Sequence, residues 1–220
     1  MLQSNYATTE YRHWLSGEEQ SMLSSGAFLF SVEKVPVAKT SRIVSAESTI
    51  LVGCFGSVAW VRVEGAANYE NAGCIRDFLT GRFEKGWRQF VVDLEDCRGI
   101  DSTFIGILYR LAAKVSETDS GGSVEVINPG ERNAKSISKL GLDSLIKIDR
   151  EGSRWKEERE LVAKNLTKPY HCAPLEKKEK TQLVLEAHEA LLAANEENRS
   201  RFCDVVEFLR QDLEAQSKEG

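Results

Sequence analysis

Several features are missing from this sequence of 220 residues, and each absence excludes a class of protein. No apolar run approaches the roughly 18 to 20 residues that a membrane-spanning helix needs. Residues 1–20 contain neither the basic start nor the apolar stretch of a signal peptide. Positive charge is not in excess, because 29 Lys and Arg residues stand against 34 Asp and Glu, a net charge of −5. Since nucleic-acid-binding domains usually carry a basic surface, we predict a soluble protein that binds neither membranes nor nucleic acids.

The cysteines are odd in number and scattered, which argues against a disulfide framework. The five cysteines have no C-x-x-C spacing: Cys54, Cys74, Cys97, Cys172 and Cys203. Their odd number and distribution predict reduced thiols and a cytoplasmic location. His171 next to Cys172 has no further ligands at zinc spacing, so no metal site is expected. Glycine-rich phosphate-binding motifs are also absent, and no cofactor is predicted.

What the sequence does contain is an alternation of strand and helix patterns over residues 46–152. The runs at 49–54 and 58–63 flank the turn-forming Gly56-Ser57 and predict a β-hairpin. The nearly continuous apolar run in "QFVVDLEDC" is typical of a strand buried on both faces of a parallel sheet. A helix is predicted over residues 104–115, and further strand and helix segments follow it. This order predicts an α/β fold with a mixed, largely parallel sheet flanked by helices.

The two ends of the chain have a different character. Residues 1–45 show little periodicity and are predicted to be a weakly ordered arm. Residues 153–220 are predicted to be a helical extension, because residues 176–216 are rich in strong helix formers. An apolar seam that includes Leu185, His188 and Leu191 runs along it. The seam fits either an antiparallel helix pair or one long helix on the domain or on a second subunit.

The candidate functional site is the stretch "RGIDSTFIGIL", residues 98–108. Asp101, Ser102 and Thr103 can each cap a helix, and they directly precede an apolar helix after a buried strand. Open α/β sheets place functional loops at such strand ends. The N–H groups that open a helix also favour an anion. The stretch is therefore either a helix cap with spare polar residues or a regulated site.

A serine nucleophile at Ser102 would need a general base. The only histidines are His13, His171 and His188, and all three lie outside the α/β unit in the sequence. We therefore set aside a hydrolase that uses Ser102 and predict that the protein is not an enzyme. A serine that accepts a phosphate needs no such machinery of its own, because the kinase supplies it.

The segments "VVDLEDCRGIDSTFIGILYRLAAKV" and "GGSVEVINPGERNAKSISKLGLDSLIKI" resemble the STAS domain, and within it the anti-sigma-factor antagonists. Members show an apolar strand ending in D-L and then D-S-[ST] opening a helix. A second strand follows a G-G turn, and a short helix ends in G-L. The resemblance covers about residues 46–150 and implies a STAS-like fold. It also implies a bacterial, non-enzymatic regulator of transcription.

By this resemblance, Ser102 is the phosphorylation site and Thr103 is a second candidate. The partner would be an anti-sigma factor with serine kinase activity. Its contact surface would include Asp101, Ser102, Thr103, Phe104 and Ile105. The family usually has glycine where this chain has Phe104, so this ring either fills the docking surface or packs inward. Phosphate would add about −1.5 to −2 charge and switch partner binding off.

One rival hypothesis belongs to a different class. The C-terminal helices are not needed by a minimal antagonist. The chain could therefore be a non-catalytic STAS scaffold or a ligand-sensing module that assembles through these helices. A homodimer formed by the C-terminal helices is included in this hypothesis.

Overall fold

The computed structural model describes residues 48–118 and 121–218, in which six strands form one mixed sheet with six α-helices around it. The strands are β1 (Thr49–Phe55), β2 (Val58–Ala67), β3 (Gln89–Asp93), β4 (Cys97–Ile100), β5 (Ser123–Ile127) and β6 (Ile146–Asp149). The helices are α1 (Ala72–Glu84), α2 (Ser102–Ser116), α3 (Gly130–Lys139), α4 (Lys156–Asn165), α5 (Lys177–Ala194) and α6 (Arg199–Lys218).

The sheet has the predicted mixed, largely parallel topology. Its order is β1-β2-β3-β5-β6, and β4 pairs with the far end of β2. Only the β1–β2 hairpin is antiparallel among these pairs, and Gly56 takes a φ of 58° in its turn. Because β2, β3, β5 and β6 run in the same direction, their carboxyl ends lie at one edge. The loops that follow these strands therefore share that edge.

One face of the sheet carries the main core. Alternate residues of the strands, such as Val61 and Val92, pack there against α1, α2 and α3. The helix residues include Leu79, Phe104 and Ile137, and all three are almost completely buried. This burial explains why β3 reads as a continuous apolar run, since its other side is covered as well.

The other face is covered by α4, the first helix of the predicted helical extension. Trp60 and Val91 pack there against Val162. Glu125 also points to this face and is only 1% exposed. Its carboxylate accepts a hydrogen bond from the Trp155 indole N–H at 3.0 Å. A buried carboxylate is tolerated when it is neutralised and hydrogen-bonded in this way, and here Arg154 supplies the ion pair.

The C-terminal helices form an antiparallel pair, one of the two arrangements that the apolar seam allowed. Thr181 of α5 lies beside Asp212 of α6, and Glu189 pairs with Arg210. Helix α5 crosses α2, while the stretch before it runs along β1, where the Tyr170 N–H donates to the Ile50 carbonyl. The tail is thus packed on the α/β unit.

Two sequence-based expectations need correction. The sequence predicted no strand between β3 and the helix after Asp101, but Cys97–Ile100 forms β4 beside β2, across a register shift. The cysteines are not all reduced, because Cys74 and Cys172 are joined by a disulfide, with Cα atoms 5.5 Å apart. The cysteine pattern therefore no longer supports a reducing compartment. The predicted arm at 1–45 lies outside the described residues.

The disulfide generates the first prediction, because it closes a loop between α1 and the stretch before α5 across 98 positions of sequence. Loops of this size lose much unfolded-state entropy when they are cross-linked. We expect Cys172→Ser to lower the free energy of unfolding by about 2–4 kcal/mol in urea titrations without reductant.

The matched control is Cys203→Ser, which changes an exposed cysteine outside the disulfide. It should leave stability unchanged to within about 0.5 kcal/mol. Equal stability of the two variants would contradict a stabilising bond. Thiol titration of the denatured, unreduced protein should find three thiols, the number of cysteines outside the bond.

Candidate functional site

The candidate site begins where β4 ends and α2 starts, and Asp101 holds this junction. Asp101 adopts an extended conformation, and its Oδ1 accepts a hydrogen bond from the Phe104 N–H at 2.8 Å. Its Oδ2 accepts from the Tyr69 N–H, also at 2.8 Å. Asp101 is therefore the N-cap of α2 and also ties the helix start to the loop after β2.

Because Asp101 supplies the cap, the Ser102 hydroxyl has another partner. Ser102 Oγ lies 2.9 Å from Nε2 of His188, a residue of α5. The other ring nitrogen, Nδ1, lies 2.8 Å from the Val184 carbonyl, which can only accept. Nδ1 must therefore carry a proton, and in the neutral ring Nε2 is the acceptor. The Ser102 hydroxyl then donates to His188.

The remaining residues of the predicted contact surface lie in the interior. Thr103, Phe104 and Ile105 are 3%, 0% and 2% exposed, while Asp101 and Ser102 are partly accessible. Of the two roles considered for the Phe104 ring, the structure has the inward one, because the ring belongs to the main core. In this conformation only the first two residues of the five keep any accessible surface, and Ser102 is in contact with α5.

Helix α5 approaches α2 closely, one turn after Ser102. A Cβ placed on Gly106 would lie 2.3 Å from the Ala187 carbonyl oxygen, so only glycine permits this distance. Farther along, Arg110 forms an ion pair with Glu186. Burial alone raises the pKa of Glu186, but hydrogen bonds from Gln182 and Arg110 and the positive charge of Arg110 hold it below its usual value.

His188 is the residue that sequence reasoning did not connect to the site. It lies 86 positions from Ser102, and its ring is 5% exposed beside Phe202. The signal was its place in the apolar seam of the C-terminal segment, where a histidine needs a polar partner.

The missing base is therefore no longer an argument against a hydrolase at Ser102. However, the Nδ1 of His188 is held by a main-chain carbonyl and not by a carboxylate. Helix α5 itself occupies the space next to the hydroxyl that a substrate would need. The pair therefore has the geometry of a packing contact and not of an accessible nucleophile.

A cavity of about 430 Å³ lies beside this contact, between α1, α2 and α5. Its lining combines apolar side chains such as Leu79 and Leu111 with the charged groups of Arg76, Arg110 and Glu186. Neither Ser102 nor His188 lines it. Across the described ranges, no cluster of three or more His, Cys, Asp or Glu side chains could hold a metal ion. None of the helices described is long and apolar enough to span a membrane.

Comparison with known proteins gives a match to the STAS domain family over residues 50–152. No curated protein sequence matches the chain. Similar solved structures include a Thermotoga maritima protein described as an anti-sigma factor antagonist. It has 23% identity and a TM-score of 0.43, over 52% of this chain and 94% of the other.

A second similar structure is the NMR structure of the protein TM1081, with 19% identity and a TM-score of 0.41, over 61% and 95% of the two chains. A third is the anti-sigma factor antagonist SpoIIAA in its unphosphorylated form. It has 13% identity and a TM-score of 0.41, over 53% and 98% of the two chains.

The family match spans the β1–β2 hairpin, the whole sheet and helices α1 to α3, and it includes the junction at Asp101 and Ser102. Helices α4, α5 and α6 lie beyond it. Residues 50–152 of this chain match the STAS domain family.

Proposed function

We propose that this chain is a regulatory protein-binding module of the anti-sigma-factor antagonist type, and that it is switched by phosphorylation of Ser102. The STAS domain supports a regulatory, protein-binding role, and its family is generally non-catalytic. The proposed partner is an anti-sigma factor with serine kinase activity. The proposed setting is the bacterial cytoplasm, where the Cys74–Cys172 disulfide would be an exception among mostly reduced cysteines. Neither nucleic acid nor membrane is proposed as a binding partner.

The observation that carries the proposal is that Asp101, and not Ser102, caps α2. Asp101 makes the capping hydrogen bond, so the Ser102 hydroxyl can be modified without removing the cap. The first turn of a helix is also a favourable place for an anion. Phosphorylation there would change the surface at the start of α2 and leave the capping hydrogen bond in place.

The same geometry favours Ser102 over Thr103. The Thr103 side chain is 3% exposed and lies within the packed start of α2. A kinase would have to unfold the helix start to reach it, whereas the Ser102 side chain is partly accessible at the contact between α2 and α5.

Mass spectrometry of the protein from its native cells, in growth and under stress, tests this proposal. We expect one phosphate on the peptide from Asp101 to Arg110, at an occupancy that changes with condition. Ser102→Ala should remove it, because Thr103 is buried and the phenol of Tyr109 is not a substrate for a serine kinase.

The matched control is Ser116→Ala, which changes an exposed serine at the other end of α2. It should leave the phosphate in place. A phosphate that persists in Ser102→Ala, or an unmodified peptide under every condition, would overturn the proposal. Ser102 would then be a packing residue of the α2–α5 contact.

Assembly through the C-terminal helices is a second candidate function, and the exposed side of α6 favours it. Val205 and Phe208 are 39% and 67% exposed and lie three residues apart, on one side of the helix. If two copies paired through antiparallel α6 helices, Val205 of each copy would lie against Phe208 of the other. This proposed contact would give a homodimer.

Sedimentation of the full chain over a range of concentrations tests the dimer. We expect Phe208→Gln to shift the protein towards the monomer by about tenfold or more in dissociation constant, because the largest exposed apolar group of the contact is lost. Leu161→Gln on α4, where the leucine is 40% exposed, is the control and should not shift it. A wild-type protein that stays monomeric throughout would exclude this assembly.

A further inference from the structure

We propose that α5 competes with the kinase and with the binding partner for the Ser102 surface, which is formed by Asp101 and Ser102 at the start of α2. Both would reach this surface only when α5 moves away. The inference rests on the proposed function and adds the regulation of the same site. In the docked state, the Ser102 hydroxyl is held by His188. In the undocked state, it is exposed at the start of α2.

The first support is the lack of room at the contact. Ser102 Oγ and His188 Nε2 are at hydrogen-bond distance, 2.9 Å. A phosphate adds three oxygen atoms to this hydroxyl. The imidazole cannot move aside within the docked helix, because its Nδ1 donates to Val184 and Phe202 lies against the ring. A phosphorylated Ser102 is therefore incompatible with docked α5.

The second support is the nature of the crossing point between the helices. Ala187 is completely buried, and its backbone lies against Gly106 with no side chain between them. Because the two backbones touch, a single methyl group added at Gly106 would separate the helices. The contact is therefore close and sensitive to small changes.

The third support is that the tail stays anchored at both ends, which allows α5 to dock again. Cys172 ties the stretch before α5 to α1 through the disulfide. After α5, the Asn198 side chain donates to the Leu140 carbonyl at 3.0 Å. Leu191 of α5 is completely buried in the main core. These anchors make the docked state the major one.

A minor undocked state sets the apparent affinity for a partner. When only a fraction of the molecules can bind, the apparent dissociation constant rises by the inverse of that fraction. The α2–α5 contact therefore keeps most molecules in the docked state, which cannot bind the partner. Phosphate on Ser102 would keep α5 away and would also place its charge on the partner surface.

The test measures how often the Ser102 position is exposed in the full-length protein. Ser102→Cys places a thiol at this position, and N-ethylmaleimide labels it when α5 moves away. Peptide mass spectrometry follows this one site, so the other cysteines do not interfere. When docking is fast compared with labelling, the rate is proportional to the undocked fraction.

Two glycine substitutions are then compared in the Ser102→Cys background. Gly106→Ala adds a methyl group that meets the Ala187 carbonyl oxygen. Gly81→Ala makes the same change in α1, where the added group meets nothing within 4 Å. Alanine is a better helix former than glycine at both positions, so neither helix is weakened by propensity.

We expect Gly106→Ala to raise the labelling rate by about tenfold or more, and Gly81→Ala to leave it unchanged. Hydrogen exchange should show lower amide protection in α5 of the Gly106→Ala protein and retained protection in α2. Equal labelling rates in the two proteins would overturn the proposal.

A second pair of variants decides the question if Gly106→Ala disturbs α2 itself. Ala187→Leu adds bulk from the α5 side of the same contact, and Ala193→Leu adds it at an exposed position of α5. Faster labelling in Ala187→Leu alone supports the proposal, and equal rates contradict it. This result is independent of phosphorylation in cells, so the competitor and the proposed function can fail separately.

Discussion

The contact of α2 with α5 is the constraint on which the arrangement of the site depends. Gly106 lets the two backbones approach until the Ala187 carbonyl lies where a side chain would be. This crossing point fixes what lies on either side of it. Towards the start of α2, it brings His188 to Ser102, and towards the end it brings Glu186 to Arg110. A wider separation would break both contacts, because hydrogen bonds and ion pairs weaken steeply with distance.

The sheet determines where the start of α2 lies. The Asp101 N–H donates to the Ala67 carbonyl at the end of β2, which holds the junction against the sheet. β4 is short, and it is supported from α3 by the Asn133 side chain, which donates to the Cys97 carbonyl at 3.0 Å. The Ser102 hydroxyl is therefore positioned by backbone and buried polar contacts. Its position does not depend on α5, the helix that packs against it.

The sequence was sufficient for features whose signals are local. Alternation and a Gly-Ser turn predicted the β1–β2 hairpin, and an unbroken apolar run predicted the buried strand β3. The helix after Asp101 was predicted from its cap and its spacing, and the structure places its start at Ser102. β4 was missed because its four residues, with Arg98 and Gly99 in the middle, have neither alternation nor an apolar run.

The features that the sequence did not predict are those that join distant parts of the chain. The disulfide connects Cys74 with Cys172 across 98 positions, and no local spacing encodes such a pair. The contact between Ser102 and His188 spans 86 positions and depends on how the tail folds back. The burial of Glu125 was hidden for a similar reason. An acidic residue in a strand is expected to face solvent. In the structure, Trp155 and Arg154 from a later segment cover Glu125.

The roles of Asp101 and Ser102 determine which interactions a phosphate on Ser102 would change. If Ser102 were the N-cap, phosphorylation would change the capping interaction and the stability of α2 itself. Because Asp101 caps the helix through Phe104, the domain keeps that interaction in either state. The steric and charge effects of a phosphate then fall on whatever lies against the hydroxyl, and in this structure that is His188 of α5. A phosphate at Ser102 would thus change the docking of the tail and leave the cap of α2 in place.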